Sequence, residues 1–147
     1  MKLGDLGLAR DIGIKNYYKG EDDMPINWMS PESLNDQKFT SKSDVWAFGV
    51  LIWEIITLGN KIWIFPTFDQ LFLRYFSSSG QKPFEGKSMA DVLHLICYER
   101  LHLEIPKNCH PMLADLMVQC WRYNPFQRPS FDELNFTING INKSILG

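Results

Sequence analysis

Apolar positions along this chain recur at helical intervals in four stretches, and in none do they alternate residue by residue. Over residues 41–58, Val45, Phe48, Ile52 and Ile55 share one face, and Leu51 and Ile56 widen it. A helix that is apolar nearly all round belongs at the centre of a core. Ser41 or Ser43 can cap its start, Asp44 suits its positive end, and Gly59 stops it. Residues 88–98 predict a second helix, with Met89, Val92, Leu93 and Ile96 facing inward. Residues 113–121 predict a third, burying Leu113, Leu116, Met117 and Cys120. Residues 129–141 predict a fourth, with Phe131, Leu134 and Ile138 apolar. Residues 1–30 differ: glycine stands at 4, 7, 13 and 20, charges are mixed, and no period is sustained. That pattern reads as a long loop, and long loops in ordered domains are usually functional. Pro31 then suits the first turn of a short helix. The expectation is a mainly α chain with no strand of useful length.

Composition narrows the class without changing that picture. A chain of 147 residues is one domain at most, and it is long enough to bury a core. Apolar residues at 45% and charged residues at 22% fit a globular chain. The net charge of −2 and the absence of a basic stripe argue against nucleic acid as a partner. Cys97, Cys109 and Cys120 are odd in number and lack Cys-x-x-Cys spacing, so reduced thiols of an intracellular domain are expected rather than a metal site. His94, His102 and His110 have no ligand spacing and read as surface or loop residues. Met1 opens no signal peptide. Residues 45–65, the most apolar stretch, are broken by Glu54, Gly59, Asn60 and Lys61, so no membrane span is expected within the chain.

The chemistry sits in ordered motifs. Gly4-Asp5-Leu6-Gly7-Leu8-Ala9-Arg10 is followed by Tyr17-Tyr18 and then by Pro25-Ile26-Asn27-Trp28-Met29-Ser30-Pro31-Glu32. Next come Ser43-Asp44-Val45-Trp46-Ala47-Phe48-Gly49-Val50, then Cys120-Trp121, Pro125 and Gln127-Arg128-Pro129-Ser130-Phe131. A lone Asp-x-Gly is a turn in most proteins, but five such blocks in this order resemble receptor-type protein-tyrosine kinases. The sevenless/Ros and insulin-receptor-like group is nearest. Asp5-Leu6-Gly7 and Ser30-Pro31-Glu32 then stand as one-residue variants of the Asp-Phe-Gly and Ala-Pro-Glu triplets that bound an activation segment.

The resemblance implies the lower part of a kinase C-lobe, truncated: an activation segment at 5–32 and a helical region at 33–141. It implies that Asp5 holds Mg²⁺ against the ATP phosphates, a role suited to a hard oxygen donor. Leu6 would fill the slot usually taken by Phe. Tyr17 and Tyr18 would be an autophosphorylation pair, each phosphate adding about −1.5 to −2 charge. Gly13 stands where many relatives carry a third tyrosine. Pro25, Ile26, Asn27, Trp28 and Met29 would be the platform for the substrate tyrosine, in the Pro-x-x-Trp form of tyrosine kinases. Glu32 and Arg128 would form a buried ion pair, and Asp44 would accept hydrogen bonds from the catalytic-loop backbone. Trp46 and Trp121 read as core residues.

Two departures qualify the function. No glycine-rich phosphate loop, Val-Ala-x-Lys or His-Arg-Asp motif occurs in these residues, so the chain alone is expected to be inactive. ATP and Mg²⁺, protein-tyrosine substrates and a second kinase domain would belong to a full-length parent, the cytoplasmic part of a plasma-membrane receptor. Residues 61–81 are also extra to the resemblance, because Asn60 would join Lys82-Pro83-Phe84 directly without these 21 residues. They carry Trp63, Ile64, Phe65, Phe68, Leu71, Phe72, Leu73, Tyr75 and Phe76. They are read as a retained or miscalled intron, with a genuine docking insert as the alternative. Against the kinase-fragment reading stand a non-catalytic interaction module and an incomplete gene model.

Overall fold

The computed structural model describes residues 18–19, 25–57, 81–107 and 109–146, with the backbone alone at 18–19 and 142–146. Its centre is the helix Ser41–Thr57, here α2. Thr40 caps it: the Thr40 hydroxyl accepts from the Lys42 and Ser43 N–H groups at 3.1 and 3.3 Å. Ser43 Oγ answers by accepting from the Thr40 N–H at 2.8 Å and donating to the Thr40 carbonyl at 2.6 Å. The expected cap at Ser41 or Ser43 is therefore corrected by one residue. Ser41 is already helical, and only the residue before it can reach the first free N–H groups.

Val45, Ile52 and Ile55 are buried as their spacing predicts, while Phe48 is half-buried and meets Phe131 edge-on at 5.9 Å. Trp46, Gly49, Val50, Trp53 and Glu54 are buried as well. α2 is enclosed on most sides, as expected of a helix that is apolar nearly all round.

The other elements gather around it. α1, Pro31–Asp36, opens on Pro31 and closes on Gln37 at φ 52°, in the left-handed region. Two strands of two residues, β1 (Tyr18–Lys19) and β2 (Lys38–Phe39), pair antiparallel with Tyr18 opposite Phe39. Two residues leave no period to read, and strands this short agree with the expectation of a mainly α chain with no strand of useful length. α3, Met89–Leu93, runs on into a π turn at His94–Tyr98. Val92 and Ile96 are fully buried, but Met89 is 66% exposed rather than inward. As the first residue of α3 it lies at the rim of the core. Arg100 at φ 55° ends this segment, and the Leu101 N–H donates back to the Leu95 carbonyl at 2.9 Å.

α4, Pro111–Cys120, begins two residues earlier than expected because Pro111 takes the first helical position. Leu116, Met117 and Cys120 are buried; each such side chain contributes about 1.5–3 kcal/mol. Leu113 is only half-buried. α5, Phe131–Leu146, starts after Pro129 and runs past 141. Leu134 is buried, Ile138 is half-buried, and Phe131 is 45% exposed. Cys97 and Cys120 are buried and Cys109 is half-buried, all three as free thiols. Among the described residues no helix is long and apolar enough to cross a membrane.

Reciprocal caps fix two helix starts. Ser88 and Asp91 exchange bonds at 2.9 and 3.2 Å, and Ser130 and Glu133 do so at 2.7 and 3.2 Å. The serine hydroxyl and backbone N–H hold the Asp91 carboxyl below the usual range, and the Ser130 N–H and hydroxyl do the same for Glu133. A lowered folded pKa stabilises above the unfolded value and is lost as pH falls through the folded one. The stability advantage of the wild type over Ser130→Ala should therefore shrink between about pH 7 and about pH 3. Thermal unfolding of both proteins at each pH measures it.

Candidate functional site

Residues 25–32 form a shelf that leads into α1. Pro25 is exposed and starts a 3-10 turn at Ile26–Trp28. Within the turn, the Trp28 N–H donates to the Pro25 carbonyl and the Met29 N–H to the Ile26 carbonyl, both at 3.0 Å. Two side chains fasten it to distant parts of the chain. Asn27 Nδ2 donates to the Pro83 carbonyl at 3.0 Å, and Trp28 Nε1 donates to Glu54 Oε2 at 2.9 Å. Met29 then runs extended, with Ile26 to Met29 all half-buried. The shelf is thus rigid underneath and partly open above.

The end of the shelf is clamped by one arginine. Ser30 and Ser33 are buried with their hydroxyls 2.9 Å apart, and Ser33 Oγ donates to the Lys38 carbonyl at 3.0 Å. Arg128 reaches in from the segment after α4 and takes Glu32 in a two-pronged grip, Nη1 to Oε1 at 2.6 Å and Nη2 to Oε2 at 2.8 Å. Its remaining N–H groups donate to the carbonyls of Arg122 at 2.8 Å, Lys42 at 2.8 Å and Tyr123 at 3.2 Å. All five guanidinium donors are used, which suits a side chain with no exposed surface. Lys42 Nζ donates to the Arg128 carbonyl at 2.5 Å, and the guanidinium lies 5.2 Å from the Trp46 ring. Nearby Cys120 has its thiol pKa pushed up to about 12 by burial, against the pull of Arg128.

The sequence-derived candidates divide into three groups. Pro25, Ile26, Asn27, Trp28, Met29, Glu32 and Arg128 come together in this one region. Asp44 stands apart in the first turn of α2; it is exposed as a residue, yet protein crowds its carboxyl group enough to raise its pKa by loss of water. Asp5 and Tyr17 lie outside the described residues, as does all of the 61–81 segment except Gln81; Tyr18 is described as backbone in β1. Pattern reading missed Glu54, whose signal was a lone carboxylate inside an apolar stripe, and Lys42, which had no signal. It also gave no hint that Asn27 reaches Pro83, since the two are 56 residues apart.

The arrangement leaves residues 26–29 half-buried and fastened from two sides. The described residues contain no group of three or more His, Cys, Asp or Glu that could hold a metal ion.

The family model for protein tyrosine and serine/threonine kinases matches residues 1–138. The human proto-oncogene tyrosine-protein kinase ROS is 43% identical over 154 aligned residues, covering 98% of this chain and 6% of that protein. The insulin-like growth factor 1 receptor of Xenopus laevis is 42% identical over 136 residues, covering 91% of this chain and 8% of that protein. Protein sevenless of Drosophila melanogaster is 40% identical over 147 residues, covering 99% and 5%. The chain spans only 5–8% of the length of these relatives.

Proposed function

The chain belongs to the protein tyrosine and serine/threonine kinase family, and from that premise we propose that it is the peptide-receiving and regulatory part of a receptor-type tyrosine kinase. The observation that carries this reading is the shelf at residues 25–29, held from two sides and clamped by Glu32 and Arg128. Its Trp28 takes the place that marks tyrosine-directed members in the resemblance described above. The whole protein would transfer the γ-phosphoryl group of ATP to a tyrosine hydroxyl of a protein substrate. When bound, Mg²⁺ would neutralise phosphate charge, and Asp5 is the residue of this chain proposed to contribute to it.

The remaining parts follow from the same reading. Residues 5–32 would be the activation segment and 33–141 the helical lobe, interrupted by the 61–81 insert. Tyr17 and Tyr18 would receive phosphate from a second kinase domain, on the cytoplasmic side of a membrane receptor. β1 places the Tyr18 backbone beside β2, so ordering of the loop and pairing of these strands would be linked.

The test is to isolate the whole protein that carries this segment and supply ATP, Mg²⁺ and matched tyrosine and serine peptides. Phosphotyrosine should form, and the 147 residues alone should yield none, since the His-Arg-Asp base is not among them. Phosphoserine alone, or no transfer by the whole protein, would overturn the proposal.

A further inference from the structure

We propose that Asn27 and Glu54 are positioning residues for the peptide, setting the tilt of the shelf from two elements that are otherwise unrelated in the chain. The inference rests on the functional reading above and names what makes that site work.

A 3-10 turn of three residues has poor hydrogen-bond geometry and little stability of its own. The two local bonds at Ile26–Trp28 shape the turn but cannot fix where it points. Packing of Ile26 and Trp28 against the core seats the turn, and two side-chain bonds add direction to it. Glu54 sits within α2, the 17-residue central helix, and its residue is only 8% exposed. A carboxylate there gives the Trp28 indole a charge-assisted acceptor on the central, largely buried helix. Asn27 pulls the neighbouring residue toward Pro83, which is itself buried. Pro83 belongs to a tight turn, in which Glu85 N–H donates to the Lys82 carbonyl at 3.2 Å and Lys87 N–H to the Phe84 carbonyl at 3.1 Å. Phe84 and Gly86 in that turn take positive φ, 55° and 77°.

Neighbouring shelf residues are thus tied to α2 and to the 82–87 turn. With both bonds the shelf has one tilt. With either bond missing, the shelf is held only by the other bond and by the packing of Ile26 and Trp28, and its tilt is less defined. The cost then falls on peptide binding rather than on nucleotide binding or on folding.

Steady-state kinetics of the whole protein test this, with a tyrosine peptide and ATP varied separately. Asn27→Ala should raise the peptide KM by up to about tenfold, the upper limit set if the whole worth of one orienting hydrogen bond is taken from peptide binding. The KM for ATP and the melting temperature should stay near wild type. Glu54→Gln keeps an oxygen that accepts from the indole, so it should raise the peptide KM less than Glu54→Leu. Where Glu54→Leu fails to fold, Asn27→Ala and Glu54→Gln still decide. An unchanged peptide KM in both variants overturns the inference, as do equal rises in the peptide and ATP constants, which would mean general damage. A wild-type protein without tyrosine kinase activity is a separate result: it refutes the functional reading and takes this inference with it.

Discussion

Replacing Arg128 with methionine should destabilise a domain carrying this chain by about 3–5 kcal/mol, the usual cost of stranding one partner of a buried ion pair. The substitution keeps an unbranched apolar stem of similar length, so packing changes little and the loss reports the guanidinium. Without it the Glu32 carboxylate, at 12% side-chain exposure, is left with its two strongest donors gone. The carbonyls of Lys42, Arg122 and Tyr123 each lose a donor in the same step. Arg128→Lys should be nearly as costly, because an ammonium is a point donor and cannot span both oxygens of Glu32 and three carbonyls at once. Equilibrium urea unfolding measures both. The diagnostic variant is the double replacement of Glu32 and Arg128 by methionine, which removes the stranded charge and should recover part of the loss. A single Arg128→Met loss below about 1 kcal/mol would mean that the pair behaves as an exposed one.

The clamp also shows what a sequence displays and what it hides. Family motifs bring Glu32 and Arg128 to attention although they are 96 residues apart. The three carbonyls that complete the guanidinium shell carry no side-chain signature, so nothing in the residue pattern points to them. The same division runs through the fold. α4 is legible because burying one stripe of apolar side chains requires the spacing that the chain displays, and α2 because it is apolar nearly all round. The cap of α2 at Thr40 and the π turn at His94–Tyr98 are settled by local hydrogen bonds, which periodicity does not encode. Met89 marks the same limit: a residue in phase with Val92 and Ile96 is still exposed when the core stops one turn short of it. In the site, the platform residues were legible as a motif. Their supports, Glu54 and Pro83, were not, because a tether depends on where two remote elements happen to meet.

Gly49→Ala should destabilise the same domain by about 1–3 kcal/mol, although alanine is the better helix former by about 1 kcal/mol. An added Cβ at Gly49 would lie 2.7 Å from Trp121 Nε1 and 2.8 Å from Cys120 Cβ. The second contact decides the sign. Cys120 Cβ is one bond from the backbone and cannot turn aside, so the end of α4 must move as a body. Trp121 is 3% exposed, and its indole N–H has no acceptor among the described residues, so the ring gains no hydrogen bond by shifting. Gly140 on α5 is the internal control: an added Cβ there meets nothing within 4 Å. Gly140→Ala should therefore stabilise by about 0.5–1 kcal/mol, through helix propensity alone. One substitution made at two helical glycines is expected to act with opposite signs, and parallel denaturation curves would show it. The position of Gly49 also couples it to the clamp. Arg122 and Tyr123, whose carbonyls accept from Arg128, follow Trp121 directly in the chain. Pushing Trp121 outward displaces those acceptors, so the losses from Gly49→Ala and Arg128→Met should sum to more than the double variant shows. Strict additivity would mean that the α4 terminus yields at Trp121 without moving the carbonyls beyond it.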